Sequence, residues 1–344
     1  MERCATLIKI VDVAREAGVA PSTVSRALNN YPTVAPEIVE RVRSAASRLG
    51  YRPNGVARNL RRQSTDVIAL VIPDVGNHFC TAVTRGAEDV AREAGLSVLL
   101  CNSDEDPTKE ALYLDVVESE KVAGILIASH DPRSNIERLA QSSIPVVAID
   151  RPLDDRFDAV TTDSFNGSRD ATRHLIDQGW SRPGCCAGPI GVQTADLRYA
   201  GYRSVVEAAG LADRSAHGSY DREGGAATAA RLLDQPNPPD ALLVSNEQMA
   251  LGVMSELRRR GLQPGRDIGV VTFDDTPWAP LLSPPMTVVE QPAYEVGARA
   301  VRLLVDRIRG ATVWEPQQIV LPLRLLVRES SLRSSQTVIP VPVD

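Results

Sequence analysis

An all-α head followed by a two-lobed α/β core of doubly wound parallel sheets is the fold this sequence predicts. Three observations carry it. Up to about residue 60, apolar residues recur at helical spacing between Pro and Gly punctuation. From residue 67 the period changes. VIALVI (67–72), LSVLLC (96–101), AGILIA (123–128), IPVVAI (144–149), DALLVS (240–245) and IGVVTF (268–273) are the unbroken apolar runs of strands buried on both faces, and helical patterns separate most of them. The third observation is length: the part beyond the head, about 265 residues, is large for one sheet and comfortable for two with a cleft between them.

In the head, residues 10–29 read IVDVAREAGVAPSTVSRALN, two short helical patterns meeting at a turn. Val13, Ala14 and Ala17 share one side of the first, with Asp12, Arg15 and Glu16 left for solvent, and Gly18 suits the helix C-terminus. The second restarts at Pro21, which fits a first helical position, and places Val24, Ala27 and Leu28 inward. Its outward set is Ser22, Thr23, Ser25, Arg26 and Asn29, residue types that suit phosphate oxygens and base edges. By itself this pattern also fits an ordinary helical hairpin with a polar face. A third helix is predicted from near Pro36, with Ile38, Val42, Ala45, Ala46 and Leu49 on one stripe before Gly50. In YRPNGVARNLRRQS (51–64), Asn54 is a good N-cap, and Val56, Ala57 and Leu60 align for about two helical turns, too short to be stable alone.

Charge favours the first of these readings. The chain carries a net −6, yet residues 1–64 hold eleven Lys and Arg against five Asp and Glu, a local +6 that leaves −12 for the rest. A cationic head on an acidic body is the footprint of one domain that meets a polyanion and another that does not.

With these residues in place, the chain resembles the bacterial transcription regulators of the lactose-repressor (LacI/GalR) family over about residues 10–329. The resemblance implies that Ser22 and Arg26 read bases in the major groove, and that Thr23 and Ser25 contact phosphates. It implies that residues 54–61, with Asn54 and Ala57, form a hinge helix whose Leu60 wedges into the minor groove at the operator centre. Two departures stand out: Ala20 and Ala35 replace hydroxyl caps common in the family, each at a cost of about 1 kcal/mol. A weaker or more hinge-dependent grip on DNA is the expected consequence. The resemblance further implies a periplasmic-binding-protein-like core that the chain crosses three times. The expected domains are a helix-turn-helix unit at 8–52, a hinge at 53–64, a core at 65–330 and a loose tail at 331–344. Lobe 1 is expected at 65–162 plus 291–318, and lobe 2 at 163–290 plus 319–330.

Ligands of open α/β sheets bind beyond the C-terminal strand ends. Those ends here are polar or aromatic: DVGNHF (74–79), Asp150-Arg151, Asn246-Glu247 and Phe273-Asp274-Asp275 with Trp278 close behind. Carboxylates and amides suit hydroxyl pairs, Arg forks onto neighbouring oxygens, and aromatic faces cover a sugar ring. The candidate effector residues are therefore Asp74, Phe79, Asp150, Arg198, Tyr220, Asn246, Asp274 and Trp278. In resembling proteins the positions of Asp150, Arg198, Asn246 and Asp274 contact the effector, and those of Phe79 and Tyr220 wall it. Asp150 could equally cap its loop or pair with Arg151, and Asp275 could be structural. RPGCCAGP (182–189) places Pro183 and two cysteines where an apolar strand is expected.

Five cysteines without CxxC spacing fit reduced thiols in a cytoplasm, and neither a metal site nor a cofactor is expected. No leader pattern and no long apolar run indicates secretion or a membrane. A transport-type solute-binding protein on the same core would lack the basic head. A sugar-processing enzyme could use the cleft carboxylates and His130, His174 or His217, but no GxSxG, P-loop or GxGxxG string accompanies them. The expected protein is a repressor, not an enzyme: a homodimer on a pseudo-palindromic operator, controlled by a sugar-like effector between the lobes. Release and tightening by the ligand both remain open.

Overall fold

The computed structural model describes residues 8–28, 31, 33–51, 65–130, 132–310 and 315–333. They form two compact units, one within residues 1–64 and one from residue 65 onward. In the first, α1 (Ile10–Ala17), α2 (Pro21–Leu28) and α3 (Pro36–Leu49) close around Val13, Val24, Ala27, Val42 and Ala45, all fully buried. Gly18 caps α1 in the left-handed region (φ 62°) and has open space around its Cα, so its role is conformational; close helix crossing falls to Ala14 and Ala17. Arg41 Nε donates to the Ala17 carbonyl at 2.9 Å and Arg48 pairs with Glu16 at 3.0 Å, so two arginines of α3 fasten it to α1. Ala35 caps α3 with no side-chain hydrogen bond, and the Ala20 carbonyl starts α2 by accepting from Thr23 and Val24.

The second unit contains two sheets with one topology. The first holds β1 (Val67–Ile72), β2 (Ser97–Asn102), β3 (Gly124–Ile127), β4 (Val146–Ile149), β5 (Asp158–Thr162) and β11 (Gln318–Leu321), in the order β11-β5-β4-β3-β1-β2, all parallel. The second holds β6 (Pro183–Ala187), β7 (Ser215–His217), β8 (Ala241–Val244), β9 (Gly269–Phe273), β10 (Thr287–Glu290) and β12 (Arg324–Leu326), in the order β12-β10-β9-β8-β6-β7, with β12 antiparallel. Helices cover both faces of each sheet: α4 (His78–Glu93) and α11 (Ala293–Ile308) one face of the first, α5 (Pro107–Ser119) and α6 (Pro132–Gln141) the other. The second is covered by α7 (Ser164–Asp177) and α8 (Gln193–Ala208) on one side and α9 (Arg222–Leu233) and α10 (Glu247–Arg259) on the other. Three of these helix pairs touch through glycine, among them α7 and α8, where a Cβ on Gly201 would lie 2.3 Å from the Phe165 carbonyl. A Cβ on Gly86 of α4 would lie 2.0 Å from the Tyr294 carbonyl of α11, and one on Gly252 of α10 would lie 2.0 Å from the Arg222 carbonyl of α9.

Three segments carry the chain between lobes, after β5, after β10 and between β11 and β12. The third corrects the expected boundary, which put residues 319–330 in lobe 2. Residues 318–321 pair with β5 of the first sheet, and the switch falls at Pro322-Leu323. The expected loose tail also begins too early at 331: Ser331 is fully buried, its carbonyl accepts from Trp180 Nε1 at 2.7 Å and its hydroxyl meets His174 Nε2 at 2.7 Å. Residues 334–344 lie outside the described residues. The unusual PGCCA segment still forms the buried strand β6, between β7 and β8. Pro183 opens it, where a missing N–H is tolerated, and the strand's alternation sends Cys185 and Cys186 to opposite faces, both free.

Candidate functional site

Two surfaces carry chemistry. On the head, α2 presents exposed Ser22 and Arg26 and half-buried Thr23 and Ser25, because Val24 and Ala27 take the inward side. Asn29, Asn54, Ala57 and Leu60 lie outside the described residues.

In the core, a cavity of about 320 Å³ opens beyond the C-terminal ends of both sheets. Each wall follows a strand: Asp74 after β1, Asp104 and Glu105 after β2, His130 after β3, Asp150 and Arg151 after β4, Tyr220 after β7, Asn246 after β8, Asp274 after β9 and Gln291 after β10. Arg198 enters from α8 and Phe79 from the first turn of α4. Of the expected effector residues, Asp74, Phe79, Asp150, Arg198, Tyr220, Asn246 and Asp274 line this one cavity. Trp278 does not. A 3₁₀ turn at Ala279–Leu281 follows it, and its ring packs on the second lobe's core beside Leu282 and Met286, so proximity in sequence to Asp274 does not become proximity to the ligand space.

The two lobes offer matched carboxylates. Asp150 and Asp274 both adopt left-handed backbone (φ 63° and 75°), and their N–H groups donate to Val160 and Val289 of the neighbouring strands at 3.1 and 3.0 Å. This conformation is strained for a residue other than Gly, least so for Asn and Asp, and it turns each side chain off its strand end. Burial pushes the Asp150 carboxyl up, against the opposing pull of Arg151 and Arg198. Burial and the negative charge of Glu247 push Asp274 up to about 7, with Arg198 and the Gln291 hydrogen bond opposing them.

Arg198 is buried, donates through Nη1 to the Ser245 carbonyl at 2.6 Å and lies 4.1 Å over the Phe273 ring; its Nε–H has no protein partner. It presents a fixed donor between two carboxylates, the arrangement that grips a pair of hydroxyls. Asn246 Oδ1 caps α10 by accepting from Met249 N at 2.8 Å, and its Nδ2 donates to the Tyr220 carbonyl at 3.5 Å, which leaves the second amide hydrogen for other contacts. The Tyr220 ring fills the space over Gly188, where a Cβ would come within 2.4 Å of it. Between lobes, Glu247 at the start of α10 accepts from the His78 N–H at 3.0 Å at the start of α4, and Thr162 Oγ1 bonds to Gln291 at 2.8 Å across two of the crossing segments.

Glu105, His130, Arg151 and Gln291 line the wall without being among the expected effector residues, although Arg151 stands at one of the polar strand ends. His130 has Nδ1 2.6 Å from Glu105 Oε2. The signal was present for the first three, since the strand-end rule applied to LSVLLC, AGILIA and IPVVAI points to them. Gln291 had none, because TVVE does not read as a buried strand. Among the described residues no group of His, Cys, Asp and Glu is arranged to hold a metal ion, and no helix is long and apolar enough to cross a membrane.

A helix-turn-helix head with outward hydroxyls and a guanidinium, on the same chain as a two-lobed core enclosing a polar cavity, defines a DNA-binding regulator with its own ligand site. Comparison with known proteins makes this specific. Residues 9–54 match the family model of bacterial regulatory proteins, lacI family, and residues 172–331 that of the periplasmic binding protein-like domain. The ribose operon repressor of Halalkalibacterium halodurans is 35% identical over 323 residues, covering 94% of this chain and 96% of the repressor. The structure of a complex of the transcriptional regulator CelR with cellobiose is 32% identical with a TM-score of 0.72, and that of the Lac repressor dimer bound to operator and an anti-inducer is 26% identical with a TM-score of 0.85; each covers 94% of this chain and 99% of its own. The chain belongs to the lacI family of bacterial regulatory proteins and is a DNA-binding transcription regulator.

Proposed function

We propose that this protein is a homodimeric repressor that binds a pseudo-palindromic operator through its two heads and changes its grip when a sugar-like effector occupies the core cavity. The observation that carries the reading is the cavity itself: Asp150 and Asp274, one from each lobe, are turned into a space that also holds the Arg198 guanidinium and the Phe79 and Tyr220 rings. A ligand bound to both lobes favours one lobe arrangement over the other, and only that difference in affinity can move the heads. Ser22 and Arg26 are assigned to base edges, Thr23 and Ser25 to phosphates, and Leu60 to the operator centre. An apolar surface for a second copy is available on the first lobe, where Leu99 and Leu100 of edge strand β2 and Leu112 and Val116 of α5 are exposed. Its chemistry is binding and release without turnover, and its place is with the operator in the cytoplasm, where buried Cys80, Cys101, Cys185 and Cys186 stay reduced.

The test selects operators from random DNA with the full chain, then adds neutral sugars one at a time to the complex. A palindromic consensus and a sugar that shifts DNA affinity are expected, with the shift abolished in Arg198→Met and operator affinity retained. A variant responding like the parent would remove the cavity from the mechanism, and failure to enrich any palindrome would remove the operator.

A further inference from the structure

We infer that Glu105 sets the charge class of the effector: by occupying the Arg151 guanidinium it leaves a cavity that admits neutral polyhydroxy compounds and turns away phosphorylated or carboxylated ones. This rests on the cavity being the effector site. Arg151 would otherwise be the natural receptor for an anion, a guanidinium whose fork matches a phosphate or carboxylate in two parallel bonds. Its side chain is 4% exposed and both terminal nitrogens of its fork are engaged by the protein, while the buried Nε–H has no hydrogen-bond partner. Nη1 and Nη2 donate to Glu105 Oε2 and Oε1 at 2.9 and 2.6 Å, Nη1 also reaches the Ser129 carbonyl at 3.4 Å, and Nε lies 3.6 Å from the Asp150 carboxylate. The Glu105 carboxylate thus sits where a ligand's anionic group would have to go.

Two further features hold it there. His130 Nδ1 lies 2.6 Å from Glu105 Oε2, a third contact on the same carboxylate. Asp104 and Glu105 are consecutive non-glycine residues in the left-handed region, φ 54° and 55°, an unfavourable backbone that delivers the side chain to Arg151. Burial works against ionisation of Glu105, but the Arg151 bonds and charge outweigh it and hold its carboxyl below the usual glutamate range. With Arg151 neutralised, Arg198 is the guanidinium left to meet a ligand, and it lies near Asp150, with Asp74 and Asp221 also on the cavity wall; Asp104 is paired with Lys109, and Asp274 keeps its proton until near neutrality. An incoming anion meets excess negative charge, whereas a neutral polyol can donate its hydroxyls to these carboxylates.

The test is calorimetric titration of the full chain with inorganic phosphate at constant ionic strength, which requires neither a known effector nor DNA. The parent is expected to show no saturable site in the core. Glu105→Gln, which keeps the shape and one acceptor for Arg151, should bind phosphate at least tenfold more tightly than the parent, and Glu105→Gln combined with Arg151→Met should lose that gain. A folded Glu105→Gln protein with no gain would overturn the inference, as would saturable binding by the parent that Arg151→Met abolishes. Should Glu105→Gln fail to fold, Glu105→Asp, whose shorter carboxylate cannot span both guanidinium nitrogens, serves in its place, with a gain of at least threefold expected and no gain refuting. Because the effect of sugars on operator binding is measured separately, failure here leaves the repressor reading standing, and failure of the effector-site reading shows itself in that assay and not in the phosphate titration.

Discussion

Replacing Asp274 with Asn should make the protein's stability less sensitive to pH, in an amount the site allows to be worked out. Asp274 is 5% exposed, with its carboxyl raised from 3.8 to about 7 by burial and by Glu247. In the unfolded chain it has lost its proton by pH 5; in the native protein it keeps it until near neutrality. The native state therefore binds more protons across that window, so stability declines as pH rises through it, by about 1.4 kcal/mol per unit. The full contribution is present below the unfolded value, and about 4 kcal/mol is gone once the folded value is passed. Asn preserves what the neutral acid does. It accepts from Gln291 Nε2, now 2.7 Å from Oδ1, tolerates the positive φ, and offers an N–H toward Glu247 where the acid offers O–H. Thermal melts by circular dichroism at pH 5 and pH 8 should show Asp274→Asn gaining on the parent by about 3 kcal/mol between the two, or roughly 6–12 °C in Tm for a unit of this size. Parallel pH profiles for the two proteins would refute the reasoning, since the proton would then reside elsewhere.

Other substitutions separate packing from binding. Gly252→Ala puts a methyl 2.0 Å from the Arg222 carbonyl and 2.6 Å from the Ala226 nitrogen; neither backbone can yield cheaply, so a loss of about 3 kcal/mol is expected in denaturant melts. Trp278→Ala should cost roughly 2 kcal/mol of stability, less than a fully buried Trp, while effector affinity by titration stays within twofold; a larger affinity loss would return Trp278 to the site. Ala20→Ser restores an acceptor at the start of α2, and about 1 kcal/mol of head stability and several-fold tighter operator binding in gel-shift titrations are expected. Unchanged or weaker binding would show that this cap does not limit the grip on DNA.

Much of the architecture was legible because both periods were clear. The six apolar runs each contain a strand, and the caps at Gly18 and Gly50 are both left-handed as their positions required. Less legible were β5, β10, β11 and β12. DAVTT and TVVE are interior strands containing Thr, Asp and Glu, and they become buried because distant segments satisfy their polar groups. Thr287 Oγ1 donates to the Arg328 carbonyl at 2.7 Å, and Asp158 is held by Arg307 at 2.7 Å. No local pattern encodes those partners, which also explains why the third crossing was placed a few residues too early.

The candidate site divides in the same way. Asp74, Asp150, Asn246 and Asp274 could be found in the sequence because the end of a parallel strand is a local feature, and Ser22 and Arg26 because a helix's outward face is one too. Whether Arg151 is available to a ligand could not be. That depends on Glu105, forty-six positions earlier in the chain, reaching it in a bidentate pair at 2.6 and 2.9 Å. Likewise the fate of Trp278, core rather than cavity, was decided by a turn and the residues it meets. The sequence alone determined the elements, their faces and the ends at which chemistry could sit, since these follow from short-range periodicity and backbone preference. The tertiary structure alone decided which charges neutralise one another there, because Coulomb and hydrogen-bond partners act through space, and a chain brings them together only by folding.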